Sequence, residues 1–276
     1  MSHCSIQGDT PDAVEQIGCD ADFTALASEP IAPSIPGARS VKTSIDRDME
    51  FQLEFQNSNS FPVHWDYVSQ HRSVEQGMPL VPALDQFNRT EYYSPSRRFL
   101  LGALTHYEGP DIWAYEVAPY DTSDADMIRT GYEQVAQATF LGDRLYFHPT
   151  SQNVESAAAD LPSSVNRVTT DQLFQGIDYQ ALNLGESVGR LRFITASELD
   201  QSYVTYRDIV VLDRVPNDIT VTQGIITADY QTPLSHINVL SENRGTPNMA
   251  LRGALDDTSL RALDGQWVRL SVGASD

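Results

Sequence analysis

The sequence predicts a two-domain protein of mixed α/β class, and three observations carry that expectation. The chain has 276 residues, enough for two modest domains. Residues 98–148 read as two strands, a capped helix and a third strand. Residues 224–243 read as a buried strand, a polar turn and a helix, the beginning of a second unit. From these we place a flexible N-terminal arm at 1–39, an α+β domain with a mostly antiparallel sheet and no assigned role at 40–165, and a second domain at 178–276.

The arm is polar, with one short helix expected around Asp12 to Ile17. Pro30, Pro33 and Pro36 then favour extended chain. Ser40 to Ile45 and Glu50 to Phe55 read as strands, the second alternating as FQLEF. Asn57 to Ser60 is a turn, Pro62 to Gln70 a short helix, and Gly77 to Ser96 irregular. Arg98 to Tyr107 and Ile112 to Val117 form a hairpin across Glu108-Gly109-Pro110. Asp121 to Asp124 cap a helix that runs to about Ala138, and Arg144 to His148 is a further strand. Short helices are expected over Val154 to Asp160 and Thr170 to Gln175. No internal repeat or low-complexity tract interrupts the chain.

Composition excludes several classes. Acidic residues outnumber basic ones 38 to 18, for a formal charge of −20, which opposes a nucleic-acid partner. No apolar run approaches a membrane span. Lys42 is the sole lysine, and the Gly-rich loop and lysine of a P-loop are absent. Cys4 and Cys19 either pair or stay free, and without a CxxC or paired-His motif no metal site is expected. Cys4, near the start of the chain, would also suit a lipid-anchored, exported mature form.

His236 is the residue on which chemistry centres. Gly224 to Thr227 is an apolar, β-branched strand, and Asp229 to Thr232 a turn. Thr232 suits a helix N-cap, Pro233 suits the first helical position, and Gly245 and Pro247 end the helix near Asn243. His236 then lies in the first turn beside Ser235, where free N–H groups and the helix dipole favour an anion. An imidazole there can carry a phosphoryl group, supported by the hydroxyls of Thr232 and Ser235. The alternative is a histidine that only hydrogen-bonds its neighbours. His64 with His71, and His106 with His148, are read as packing or surface residues rather than metal sites. Asp121, Asp124 and Asp126 are read as a helix cap rather than a calcium loop. Trp65, Tyr67, Tyr92, Tyr93 and Trp113 are read as core rather than a sugar platform.

The segment Leu234-Ser235-His236, followed by Ile237 to Leu240 and Gly245-Thr246-Pro247, resembles the phosphohistidine swivelling domain of the PEP-utilising enzymes: phosphoenolpyruvate synthases, pyruvate phosphate dikinases and glucan water dikinases. Gly185 to Leu191 is similar to that family's Gly-rich entry strand. Arg207 to Val211 is similar to its Gly-Asp-Ile-Leu-Val strand, and Leu263 to Val268 to its closing hairpin. The likeness spans residues 180 to 273, about a third of the chain. It departs from the family where Tyr230-Gln231 replace a Gly-Gly and where Ser241-Glu242 replace an Ala-Arg. Arg244 then becomes the candidate for the missing cation.

The resemblance implies a β/β/α swivelling domain at 178–276 in which His236 is the catalytic phosphoryl carrier, with Thr232, Ser235 and Arg244 supporting the phosphate. The unprotonated ring would attack, and the helix start lowers the His pKa in that direction. It implies no cofactor in this chain, with ATP and Mg held by an ATP-grasp-like partner domain in cis or in trans. Pyruvate, phosphoenolpyruvate or a glucan would be the acceptor, in the cytoplasm. The chain would be part of, or a partner subunit to, a dikinase-like phosphotransferase that does not turn over alone. The altered Gly-Gly and helix Arg favour a second reading, a non-catalytic binding or structural module on the same fold, with carbohydrate as one ligand class.

Overall fold

The computed structural model describes residues 3–28, 38–73, 79–174, 177–199, 201–216, 218–231 and 236–273, with His236 and Val239 described through their backbones. It divides into two compact units at Thr169/Thr170, each with its own six-stranded sheet. Helices and strands are mixed in both.

The first unit carries strands β1 (Ala13–Val14), β2 (Ala38–Asp46), β3 (Gln52–Gln56), β4 (Phe99–Tyr107), β5 (Ile112–Glu116) and β6 (Leu145–Phe147), in the order β1-β3-β2-β4-β5-β6. All neighbours are antiparallel except β5 and β6. That exception has a simple cause: α4 (Ala125–Gln137) carries the chain back between them, which only a parallel pair requires. Side chains alternate between the two faces of the sheet. Val41, Ile45, Leu100 and Leu104 face Ile128, Tyr132 and Val135 of α4 and Val154 of α5 (Gln152–Ala158). Phe99 and Leu101 face Tyr67 and Val68 of α2 (His64–His71) and Phe87 of α3 (Leu84–Glu91).

Three expectations are corrected here. The arm at 1–39 is not free up to residue 28: α1 (Asp20–Leu26) places Phe23 and Leu26 in the core with Ile17. A Cys4–Cys19 disulfide closes this segment, and the Asp22 carboxylate accepts from the backbone N–H groups of Ser5, Ile6 and Gly18 at 2.7–2.9 Å. Residues 12–17, expected as a helix, instead contribute β1, whose edge pairing with β3 outweighs local preference. The stretch 77–96, expected to be irregular, contains α3. Pro30, Pro33 and Pro36 lie outside the described residues.

The second unit opens with α6 (Thr170–Leu173) and carries β7 (Tyr179–Asn183), β8 (Gly185–Ile194), β9 (Asp208–Leu212), β10 (Gly224–Thr227), β11 (Asn248–Leu251) and β12 (Trp267–Val272), in the order β12-β8-β9-β10-β11-β7. β8, β9, β10 and β11 are parallel, and the two edge strands are antiparallel to them. The central strands DIVVL and GIIT are buried along their whole length, as parallel strands covered on both faces must be. On one face Val210, Leu212 and Ile225 pack against Ile237 of α7 (His236–Arg244), with Leu240 against the same cluster. On the other Ile209, Val211 and Ile226 pack against Leu270 and Val272 of β12, with Leu260 of α8 (Thr258–Arg261) against them. β8 serves both layers. Its first half, Gly185–Arg190, pairs with β12, and its second half, Arg190–Ile194, pairs with β9. Among the described residues no helix is long and apolar enough to cross a membrane.

Candidate functional site

The parallel strands end at Leu212, Thr227 and Leu251, and ligand sites of open α/β sheets gather at such carboxyl ends. The chain leaves β10 there, turns through 228–231, and resumes at His236 as the first described residue of α7. The expected buried strand is present as β10, and α7 covers His236 to Arg244 of the helix expected from Pro233 to about Asn243. The helix closes where expected. Gly245 takes φ +62°, a left-handed conformation natural to glycine, and Thr246 N–H bonds the Ser241 carbonyl at 2.8 Å.

What fixes the turn is a set of buried amides. Gln231 is fully buried, and its side-chain NH2 donates to Thr227 Oγ1 at 3.0 Å and Asn248 Oδ1 at 2.9 Å. Asn248 returns a bond to Gln231 Oε1 at 3.1 Å and reaches Ser241 Oγ on α7, also at 3.1 Å. Gln180 on β7 grips the Gln231 backbone from both sides, accepting from its N–H and donating to its carbonyl. Asn183 donates to the carbonyls of Ser241 and Thr246. Gln180, Gln231, Ser241 and Asn248 are buried and Asn183 is half-buried, so most bonds lost here strand a buried polar group. The network ties β7, β10, β11 and α7 into one piece. Gln231 was read from the sequence only as a departure from a Gly-Gly. The clue to its role was the polar Gln180, Asn183 and Asn248 in otherwise apolar strands.

Charged groups ring the same edge. Arg252 bridges to Asp171 at 3.0 Å and lies over the Tyr230 ring, whose hydroxyl donates to the Ile177 carbonyl. Arg214 meets Asp213 at 3.5 Å. Partial loss of water, then the Asp171 and Asp213 carboxylates, push the Asp229 carboxyl above its ordinary value. The rim thus offers two guanidiniums to an anion, set against three carboxylates.

Of the four residues singled out, Thr232 and Ser235 lie outside the described residues. Arg244 is not brought to His236. It ends the nine-residue helix that His236 begins, roughly 12 Å along the axis at the usual rise per residue. Its guanidinium donates to the Ile219 carbonyl at 2.8 Å. Residues i and i+8 of a helix lie more than two turns apart, too far for one phosphate.

Four other histidines are occupied in the first unit. His64 is held between Tyr92 Oη and the Gly102 carbonyl, both at 2.9 Å, and His71 faces Asp12 at 3.4 Å. His106 bonds Asp111 and stacks on Trp113, while His148 Nδ1 meets Glu116 at 2.5 Å. Neither histidine pair forms a ligand set. Asp124 caps α4 on Met127 N–H at 2.9 Å, and Asp121 instead pairs with the fully buried Arg97 at 2.7 Å. Tyr67, Tyr92 and Trp113 are core residues. Among the described residues the one group of metal-capable side chains is Cys4, Cys19 and Asp22, and its two sulfurs are joined.

Compared with the models of known protein families, the sequence matches none, and no curated protein matches it.

Proposed function

We propose that the second unit is a phosphohistidine carrier domain and that His236 accepts a phosphoryl group from an ATP-binding partner domain. The observation that supports this most is the placement of His236 as the first described residue of α7, the helix that follows a buried parallel strand. A layer of β12 on one face and α7 on the other, with β8 shared between layers, is the arrangement expected of a β/β/α swivelling domain. The anchored turn at Gln231 gives the helix start a fixed position, which a group handed between two partners needs.

In this reading a neutral ring nitrogen of His236 attacks the transferred phosphorus. The nucleotide oxygen leaves, and the phosphohistidine then passes its phosphoryl group to pyruvate, water or a glucan. The nucleotide and its Mg belong to the partner domain. Arg214 and Arg252, rather than Arg244, stand at the correct edge to meet phosphate charge.

A second reading is a binding module that keeps the fold without transfer. It is favoured by Gln231, which fills with a buried side chain the position where the resembled family has glycine, and by the carboxylates of Asp213 and Asp229 at the rim. The test is labelling. The chain and His236→Gln are incubated with γ- and β-labelled ATP and a dikinase ATP-binding domain, and separately with phosphoenolpyruvate and its binding domain. An acid-labile, alkali-stable label lost in His236→Gln is the expected result. No label beside a competent partner leaves the binding module.

A further inference from the structure

Lys42, the only lysine, projects from the middle of β2 on the sheet face that carries α2 and α3. Among the described residues its amine has no hydrogen bond and no ion pair, in a chain with 38 acidic groups. The register sets a lateral row across four strands: Gln56, Lys42, Ala103 and Glu116. Glu116 does not serve as the counter-ion, because His148 and Tyr107 hold its Oε1 and Thr105 holds its Oε2. Gln56, directly opposite Lys42, is fully buried, and neither atom of its side-chain amide has a partner.

From α2 above, His64 adjoins the amine. Its Nε2 faces a carbonyl and so carries the proton, while Nδ1 accepts from Tyr92, which makes the ring neutral. Burial first, then the Lys42 charge, push His64 down to about 3. Lys42 is half-buried, and partial loss of water pushes its amine below its ordinary value. A larger fraction of the amine is then neutral and nucleophilic.

We propose that Lys42 forms imines with small aldehydes and α-keto acids, and that the Gln56 amide holds the carbonyl oxygen during attack. This site is independent of the phosphoryl-carrier reading and lies in the other unit. The amine lone pair forms a C–N bond as the C=O pair moves onto oxygen. A proton passes from nitrogen to that oxygen, giving a carbinolamine. Loss of the hydroxyl with a second nitrogen proton releases one water and leaves the imine, and hydrolysis reverses the sequence without any oxidant. Gln56 Nε2 is the free donor for the developing oxyanion, and Oε1 the free acceptor for the carbinolamine hydroxyl.

The experiment is reductive trapping of the full chain with glyoxylate and cyanoborohydride at neutral pH, mapped by peptide mass. The only competing amine is the chain terminus. The same chain in guanidinium provides the unfolded reference. A lowered lysine pKa leaves more of the amine neutral, so Lys42 should label faster folded than unfolded. Gln56→Leu, with unchanged circular dichroism, should slow folded labelling about tenfold through loss of the oxyanion donor. Labelling of Lys42 no faster folded than unfolded overturns the proposal, and that comparison needs no variant. An undiminished rate in Gln56→Leu overturns the part given to Gln56.

Discussion

In the first unit a mostly buried carboxylate of the sheet, Glu116, is held by His148, Tyr107 and Thr105 at 2.5–2.6 Å. In the second unit the corresponding interior holds amides, Gln180, Gln231 and Asn248, joined at 2.8–3.1 Å. The two solutions differ in kind. A buried charge is secured by a few short, charge-assisted bonds and depends on every partner. A neutral amide chain spreads the same requirement over more, weaker bonds and has no titrating member. The first arrangement anchors a sheet face. The second anchors a turn at the end of parallel strands, where a change of local charge would otherwise disturb the position of α7.

This contrast can be broken at either network. The largest effect is expected from Glu116→Ala, which strands the buried His148 and Tyr107 polar groups and should cost about 3–5 kcal/mol in urea unfolding. Gln231→Leu should cost about 2–3 kcal/mol by leaving the Asn248 amide and the Thr227 hydroxyl short of partners, and should loosen α7 in hydrogen exchange.

Acid separates the two more sharply. Burial by itself raises the Glu116 carboxyl, but the bonds from His148, Thr105 and Tyr107 outweigh it and hold the group below its ordinary 4.5. A carboxyl depressed by folding contributes stability above its unfolded pKa and loses that contribution as pH falls through the folded value. The deficit of Glu116→Gln relative to the parent should therefore be present at pH 7 and shrink steadily below 4.5. The deficit of Gln231→Leu should stay constant over the same range, and equal slopes for both would remove the distinction. The smallest effect is expected at the first unit's surface. Asp124→Ala removes the cap on Met127 N–H and should cost about 1 kcal/mol at neutral pH without touching either network.

Elements with local signals were legible. Thr227 ends β10 and Gly245 follows α7 as their residue types required, and the capped α4 lies close to its expected span. Two helices missed from the sequence, α1 and α3, have Cys19 and Ala83 at their N-cap positions, neither of which supplies a side-chain cap. Their stability comes instead from Phe23, Leu26 and Phe87 buried against strands distant in sequence. His236 falls within α7, in the helix expected from Pro233 to about Asn243. The polar contacts of this region were not legible, because Arg244 is close in sequence and remote along the helix, whereas Gln180 is distant in sequence and meets Gln231 directly.

The sequence by itself determined the apolar runs that become central strands, the caps and breakers around α4 and α7, the acidic balance, and the isolation of Lys42 as the sole lysine. Only the tertiary structure decided which polar residues are buried together: Gln231 with Asn248, Glu116 with His148, and Gln56 opposite Lys42. The reason is physical. Periodicity and capping are interactions within a few residues, so they are written locally, whereas the satisfaction of a buried polar atom depends on strand order and register that no single stretch of sequence contains.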